Sequence, residues 1–241
     1  MIKSIKTRSK NCTCESLNFP WKGLIFTVLV LLSSYLSSKT NAFPKMFKLP
    51  EPQYTGKLSI EETLLKRRSV RDYKDDHVTL AEVSQLLWAA QGITAPGGFR
   101  TAPSAGALYP LEIYVVAGNV DDLPDGVYKY KPHRHELVRI LEGDKRAELC
   151  SAALGQSCIK DGSAVIVFSA IYERTTGKYG ERGVRYAHIE TGHAVQNVYL
   201  QAVSLNLGTV VVGAFYDSEV KRVINMERRE QPLCLMPVGK K

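Results

Sequence analysis

The chain has 241 residues and an ordinary hydrophobic fraction of 44%, enough for one good core. Its formal charge of +8 would suit a nucleic-acid binder, yet residues 1–42 hold six of the 32 Lys and Arg and one of the 24 acids, so +5 sits in that head and +3 is left. A near-neutral remainder argues against nucleic acid, and the lack of a GxGxxG or GKS/T loop argues against the common nucleotide-binding folds.

The head begins with lysines, continues as GLIFTVLVLLSSYLSS without a charge, and ends in TNA followed by FP. A basic start, an apolar middle and a small-residue exit describe an export signal, with Thr40 and Ala42 at the positions a signal peptidase inspects and cleavage after Ala42. The strictly apolar run is about ten residues, short for a bilayer span. An uncleaved membrane anchor is the alternative, and a misplaced start codon a third reading. Export would put the mature chain outside the cytoplasm. Residues 43–58, with three prolines and no periodicity, read as an extended lead-in, and 59–241 as the folded domain.

A short helix is expected from Ile60, running into KRRSVRDY, where Arg67, Arg68 and Arg71 crowd around Ser69. Guanidinium forks suit a phosphate, although a solvated charge cluster has the same appearance. Thr79 with Glu82 three residues on is a capping box; Leu80, Val83, Leu86, Leu87 and Ala90 then form one apolar stripe, which Gly92 stops. TAPSAGALYP follows, a loop of small residues that can lie close to something flat. LEIYVVAG reads as a strand, VYKY and ELVRIL as a hairpin, Arg146 to Gln156 as one helix, and AVIVFSA as a central strand. Val184 to Leu207 reads as a long helix, TVVVGAF as a second buried strand, a short helix runs to Ile224, and PLCLMPVG closes the chain as a strand. Gly213, inside the apolar TVVVGAF run, suggests close backbone approach by a ligand or neighbour. Helices and strands alternate irregularly around one hairpin, so the expected class is α+β.

Cys12 and Cys14 lie in the head, and Cys150, Cys158 and Cys234 remain, an odd number without metal-ligand spacing. Cys150 and Cys158 are placed about two turns apart on one helix, too far to bridge, and all three read as small buried hydrophobes. His133 and His135 sit on a polar hairpin with no third ligand, and no metal is expected.

Arginine forks, a small-residue platform and a glycine strand, in that order, resemble the nitroreductase-family flavoproteins over Glu61 to Lys241. The stretches SAGALYPLE, KYGERGVRY and ETGHAVQN resemble most the SagB/ThcOx-type subgroup, which contains the thiazoline/oxazoline dehydrogenases of ribosomal-peptide biosynthesis. The resemblance implies an α+β nitroreductase-like fold, with a central mixed or antiparallel sheet flanked by helices. It also implies a homodimer with FMN in two interface sites. Arg67, Arg68, Ser69 and Arg71 match the motif that holds the FMN phosphate and ribityl chain. Pro103, Ser104, Ala105 and Gly106 match the segment against the flavin, often supplied by the partner subunit. Val212 and Gly213 match a later contact, and Lys240 a further phosphate contact. Ala107 stands where the family often has asparagine, a departure usual in the azoline-oxidising subgroup. Lys178 and Tyr179 match a Lys-Tyr pair used near the substrate, as a general base and a proton relay. His193, Gln196 and Asn197 are read as packing or support, and Glu190 as a lesser candidate for a backbone contact with the ring. The implied chemistry is hydride transfer between flavin N5 and a small organic or peptide substrate. The alternatives are an NAD(P)H-dependent nitro or quinone reductase and a non-catalytic flavin-binding or partner subunit.

Overall fold

The computed structural model describes residues 45–241. The expected signal segment lies outside the described residues. Among these, the chain forms β1 (Met46–Lys48), α1 (Ile60–Lys66), β2 (Val78–Thr79), α2 (Leu80–Gln91), β3 (Ile93–Ala95) and β4 (Phe99–Arg100). A 3-10 turn at Ala105–Ala107 leads into β5 (Leu111–Ala117), β6 (Val120–Asp121), β7 (Gly126–Lys131) and β8 (Glu136–Glu142). Then come α3 (Arg146–Ala152), α4 (Cys158–Asp161), β9 (Ala164–Ala170), α5 (Glu173–Tyr179), α6 (Arg182–Ser204), β10 (Leu207–Thr209), α7 (Asp217–Val223) and β11 (Gln231–Lys240).

AVIVFSA has no polar face because neither side of β9 meets water: all seven residues are buried. The strand lies between β5 and β11, antiparallel to both. The full order is β1-β8-β7-β5-β9-β11-β10, antiparallel at each pairing. Alternation along the strands divides the core in two. Ile113, Val115, Ile166 and Phe168 pack with Leu86 and Leu87 of α2 and Ala194 and Val198 of α6. Tyr114, Val116, Val165 and Val167 pack on the other face with Leu149 of α3, Ile159 of α4 and Val220 of α7. The α+β class and the helix-flanked antiparallel sheet agree with expectation.

Thr79 caps α2 as expected, accepting from Glu82 N–H while the Glu82 carboxylate takes the Thr79 N–H. A second box, Ser59 with Glu62, starts α1. The hairpin of β7 and β8 turns at His135, whose φ is 47°. The His135 ring bonds the Tyr130 hydroxyl at 2.9 Å and the Ser84 hydroxyl at 2.7 Å, fixing the hairpin to α2.

Four details depart from the sequence reading. The lead-in is more than a strap, for Met46–Lys48 adds an edge strand to β8. Arg146 to Gln156 is not one helix: Leu154 and Gly155, at φ 59° and 73°, end it. Cys150 and Cys158 therefore stand on separate helices, buried free thiols like Cys234. TVVVGAF is not a full strand, since β10 ends at Thr209 and only a Val212–Leu235 bridge follows. Gly213 lies beyond that bridge with nothing within 4 Å of a would-be Cβ. The close approach falls at Gly208 and Gly239, where a Cβ would come within 2.7 Å of Val70 and 2.6 Å of Tyr73.

Candidate active site

The expected site residues gather in two groups. In the first, α1 ends at Arg67, and the segment after it is pinned to the sheet by Val70 N–H to Thr209 O at 2.9 Å and Lys74 N–H to Lys240 O at 3.0 Å. Tyr199 of α6 joins the parts: its hydroxyl accepts from Val211 N–H at 2.8 Å and shares a hydrogen bond with Ser69 Oγ at 3.2 Å. Arg67 lies over the Tyr199 ring, 5.3 Å from its centroid. Arg68 donates to the carbonyls of Leu65 and Arg67 and, like Arg71, is exposed. None of the three arginines has a carboxylate partner among the described residues. Val212 is buried beside this group and Gly213 is open to solvent. Lys240 differs from expectation. Its ammonium is 2.6 Å from the Glu82 carboxylate, inside the capping box, and not free for a phosphate.

The second group is built on the small-residue loop. Ser104 Oγ accepts from Tyr109 N–H at 2.9 Å and closes the turn. Gly106 has φ 63° and Ala107 φ 55°, the left-handed region that disfavours side chains. A Cβ on Gly106 would fall 2.7 Å from the Tyr179 hydroxyl and 3.0 Å from Lys178 Nζ. The platform and the Lys-Tyr pair, about seventy positions apart in sequence, thus touch through the one residue without a side chain. Tyr179 is held edge-on by Tyr186 at 5.0 Å, while Lys178 is exposed. Asn197 of α6 donates to Thr101 O at 3.3 Å and supports the start of the loop, as its supporting role implied. Pro103 and Ala105 lie between these anchors, Pro103 exposed and Ala105 half-buried.

Beneath the platform lies Glu190, only 2% exposed. Gln91 stands between it and Arg100, donating Nε2 toward Glu190 at 3.5 Å and accepting from Arg100 Nη1 at 2.8 Å. Burial pushes the Glu190 pKa up to about 7, against the opposing pull of Ser104 and Arg100. Arg174 of α5 donates to Tyr109 O at 2.9 Å and pairs with Glu112, which also meets Lys129 at 3.1 Å. Sequence reasoning missed Tyr199, Arg100 and Arg174 and gave Glu190 only a backbone role. No local pattern marks them, since each acts through contacts far along the chain.

Two tethered clusters stand on one α+β frame, an arginine loop without carboxylate partners among the described residues and a glycine platform facing a lysine and a tyrosine. The family model described as the nitroreductase family matches residues 64–240, and the chain belongs to that family. A Methanocaldococcus jannaschii protein named as a nitroreductase is 53% identical over 184 residues, 76% of this chain and 92% of its own length. The microcin B17-processing protein McbC of Escherichia coli is 30% identical over 158 residues, covering 63% of this chain and 58% of McbC. The solved Escherichia coli microcin synthetase McbBCD complex with truncated pro-MccB17 bound superposes with a TM-score of 0.63 at 25% identity, covering 86% of this chain and 81% of that one. These likenesses agree with the resemblance to the SagB-type subgroup drawn from SAGALYPLE, KYGERGVRY and ETGHAVQN.

Proposed function

We propose that this chain is an FMN-dependent oxidoreductase of the azoline-dehydrogenase type, acting as a homodimer on a small organic or peptide substrate. The observation that supports it most is the contact of Gly106 with Lys178 and Tyr179. A platform for a flat ring and a proton-handling pair then share one surface.

The residues present fit FMN. Arg68 and Arg71 carry charge with no carboxylate partner among the described residues, on a segment already fixed to the sheet. Gly213 leaves room for close approach. Arg67, Arg68 and Arg71 would hold the phosphate and Ser69 the ribityl chain. Pro103, Ser104, Ala105 and Gly106 would face the ring, with Val212 and Gly213 near its far side. Lys240 would act through Glu82 and the start of α2. Bound FMN would supply a hydride acceptor and donor at N5. Oxidation of an azoline removes a hydride and a proton; Lys178 would take the proton and Tyr179 would pass it outward. Glu190 and Asn197 would keep the platform in place.

Nitro or quinone reduction with NAD(P)H is the second reading, favoured by the name of the archaeal relative. A role beside other proteins is suggested by the McbBCD likeness. Export through the N-terminal segment remains part of the proposal.

The test uses the FMN-loaded protein and a thiazoline-containing peptide under air. The expected result is loss of two hydrogens from the ring by mass spectrometry, abolished in Lys178→Ala, which still keeps its flavin. Equal turnover by Lys178→Ala would remove the pair from the mechanism. Fast NADPH-driven nitro reduction without azole formation would transfer the assignment to the second reading.

A further inference from the structure

A cavity of about 730 Å³ opens beside the platform, between β5, the β7–β8 hairpin and the end of α2. That is within the range of about 300–1,000 Å³ typical of small-molecule sites. Its apolar walls include Leu108, Leu111, Ile113 and Val138; its charged lining is Arg100, Arg174, Lys131 and Arg134 with the carboxylates of Glu112 and Glu136, which pair with Arg174 and Arg134.

The two guanidinium groups are not alike. Arg174 is satisfied by Glu112 and the Tyr109 carbonyl. Arg100 has Gln91 as its hydrogen-bond partner and the Tyr109 ring beneath it at 4.4 Å. Its Nε is buried without a partner among the described residues, and no carboxylate pairs with it there. Two acids lie near: Gln91 separates Glu190 from Arg100 and burial disfavours its charge, while Glu112 is taken up by Arg174 and Lys129. A half-buried cation with no carboxylate in direct contact is costly, and burial pushes the Arg100 pKa down against the more distant pull of Glu190 and Glu112. An anion arriving in the cavity would provide the missing charge.

The place of Arg100 matters as well. It begins the loop that Tyr109 ends, and its guanidinium over the Tyr109 ring brackets Ser104 and Gly106. Arg174 lies one turn before Lys178 on α5. An anion at Arg100 would therefore hold the rest of its molecule next to the platform.

We propose that this cavity binds an amphipathic carboxylate, an apolar ring or short chain whose acid group lies against Arg100, and that it selects substrates of that class. The identification of the ligand as a substrate rests on the oxidoreductase reading; the binding itself does not.

Calorimetry on the protein as purified, with and without added FMN, uses benzoate and hexanoate against benzamide and hexanamide. The acids should bind about tenfold or more tightly than their amides, as expected for a charge-assisted contact. Arg100→Gln should erase that preference, and Arg100→Lys should keep part of it. If Arg100→Gln does not fold, the acid-over-amide preference of the parent and its decline with salt still decide. Equal binding of acids and amides, no binding of any of the four, or a preference that survives Arg100→Gln would overturn the proposal. A protein that binds the acids but no FMN keeps this site and loses the flavin reading; one that binds FMN but no acid does the reverse.

Discussion

A carboxyl as enclosed as that of Glu190, with the Gln91 amide donating toward it from 3.5 Å, stays partly protonated near neutral pH. Its surroundings are Gln91 on α2, Arg100 on β4, Ser104 on the platform and Arg174 on α5. Because the folded-state pKa is raised from 4.5 to about 7, the folded protein binds the proton more tightly than the unfolded chain. Its penalty is absent below the unfolded pKa, grows as pH rises through that window, and is complete above the folded pKa. The cost at pH 8 is on the order of 3 kcal/mol. Glu190→Gln should therefore flatten the pH dependence of stability across this window and raise the melting temperature at pH 8, measured by calorimetry. An unchanged slope would mean that the carboxyl is charged throughout. The arginine cluster was legible in the sequence because three guanidinium groups in five positions are a local signal. Glu190 was not, because its burial depends on the face that α6 turns toward the platform.

Among the elements, α2 is the best determined by local sequence. Its capping box, apolar stripe and Gly92 stop each match the structure. Gly92 is also required by packing, since a Cβ there would fall 2.2 Å from the Trp88 ring. The box has a second duty, for Glu82 receives Lys240 from the end of β11. Thr79→Ala should cost about 1 kcal/mol and lower the melting temperature by about 2–4 °C in a domain of this size. A much larger loss would show that the Glu82–Lys240 contact goes with the cap. Other elements were less legible for physical reasons. Leu154 at φ 59° breaks the helix after α3, and a leucine gives no warning of that backbone. Apolar TVVVGAF has strand composition, but the sheet ends beside it and leaves one bridge to Leu235. Met46–Lys48 pairs with β8 across some ninety positions, which no local pattern could announce.

At the scale of the whole molecule, the first group is tied to α6 at Tyr199 and the second lies over Glu190 on the same helix. Nine residues of helix separate these points by about 13 Å. No hydrogen bond joins the two groups directly among the described residues. A twofold dimer that sets the arginine loop of one chain against the platform of the other would complete two equivalent sites. Complementation tests this arrangement. At FMN concentrations that load the parent but not Arg71→Ala, the Arg71→Ala and Lys178→Ala homodimers should each be inactive and should regain about a quarter of the parent activity when denatured, mixed and refolded, since half the dimers then hold one intact site. No recovery would place a whole site within one chain.

The most direct measurement is FMN binding by the purified protein, followed by quenching of flavin fluorescence. The account predicts a yellow protein with one FMN per chain and an affinity lowered about ten- to a hundredfold in Arg71→Ala, the loss of a charge-assisted phosphate contact. A correctly folded protein that stays colourless and takes up no added FMN, or an Arg71→Ala variant that binds as tightly as the parent, would contradict it.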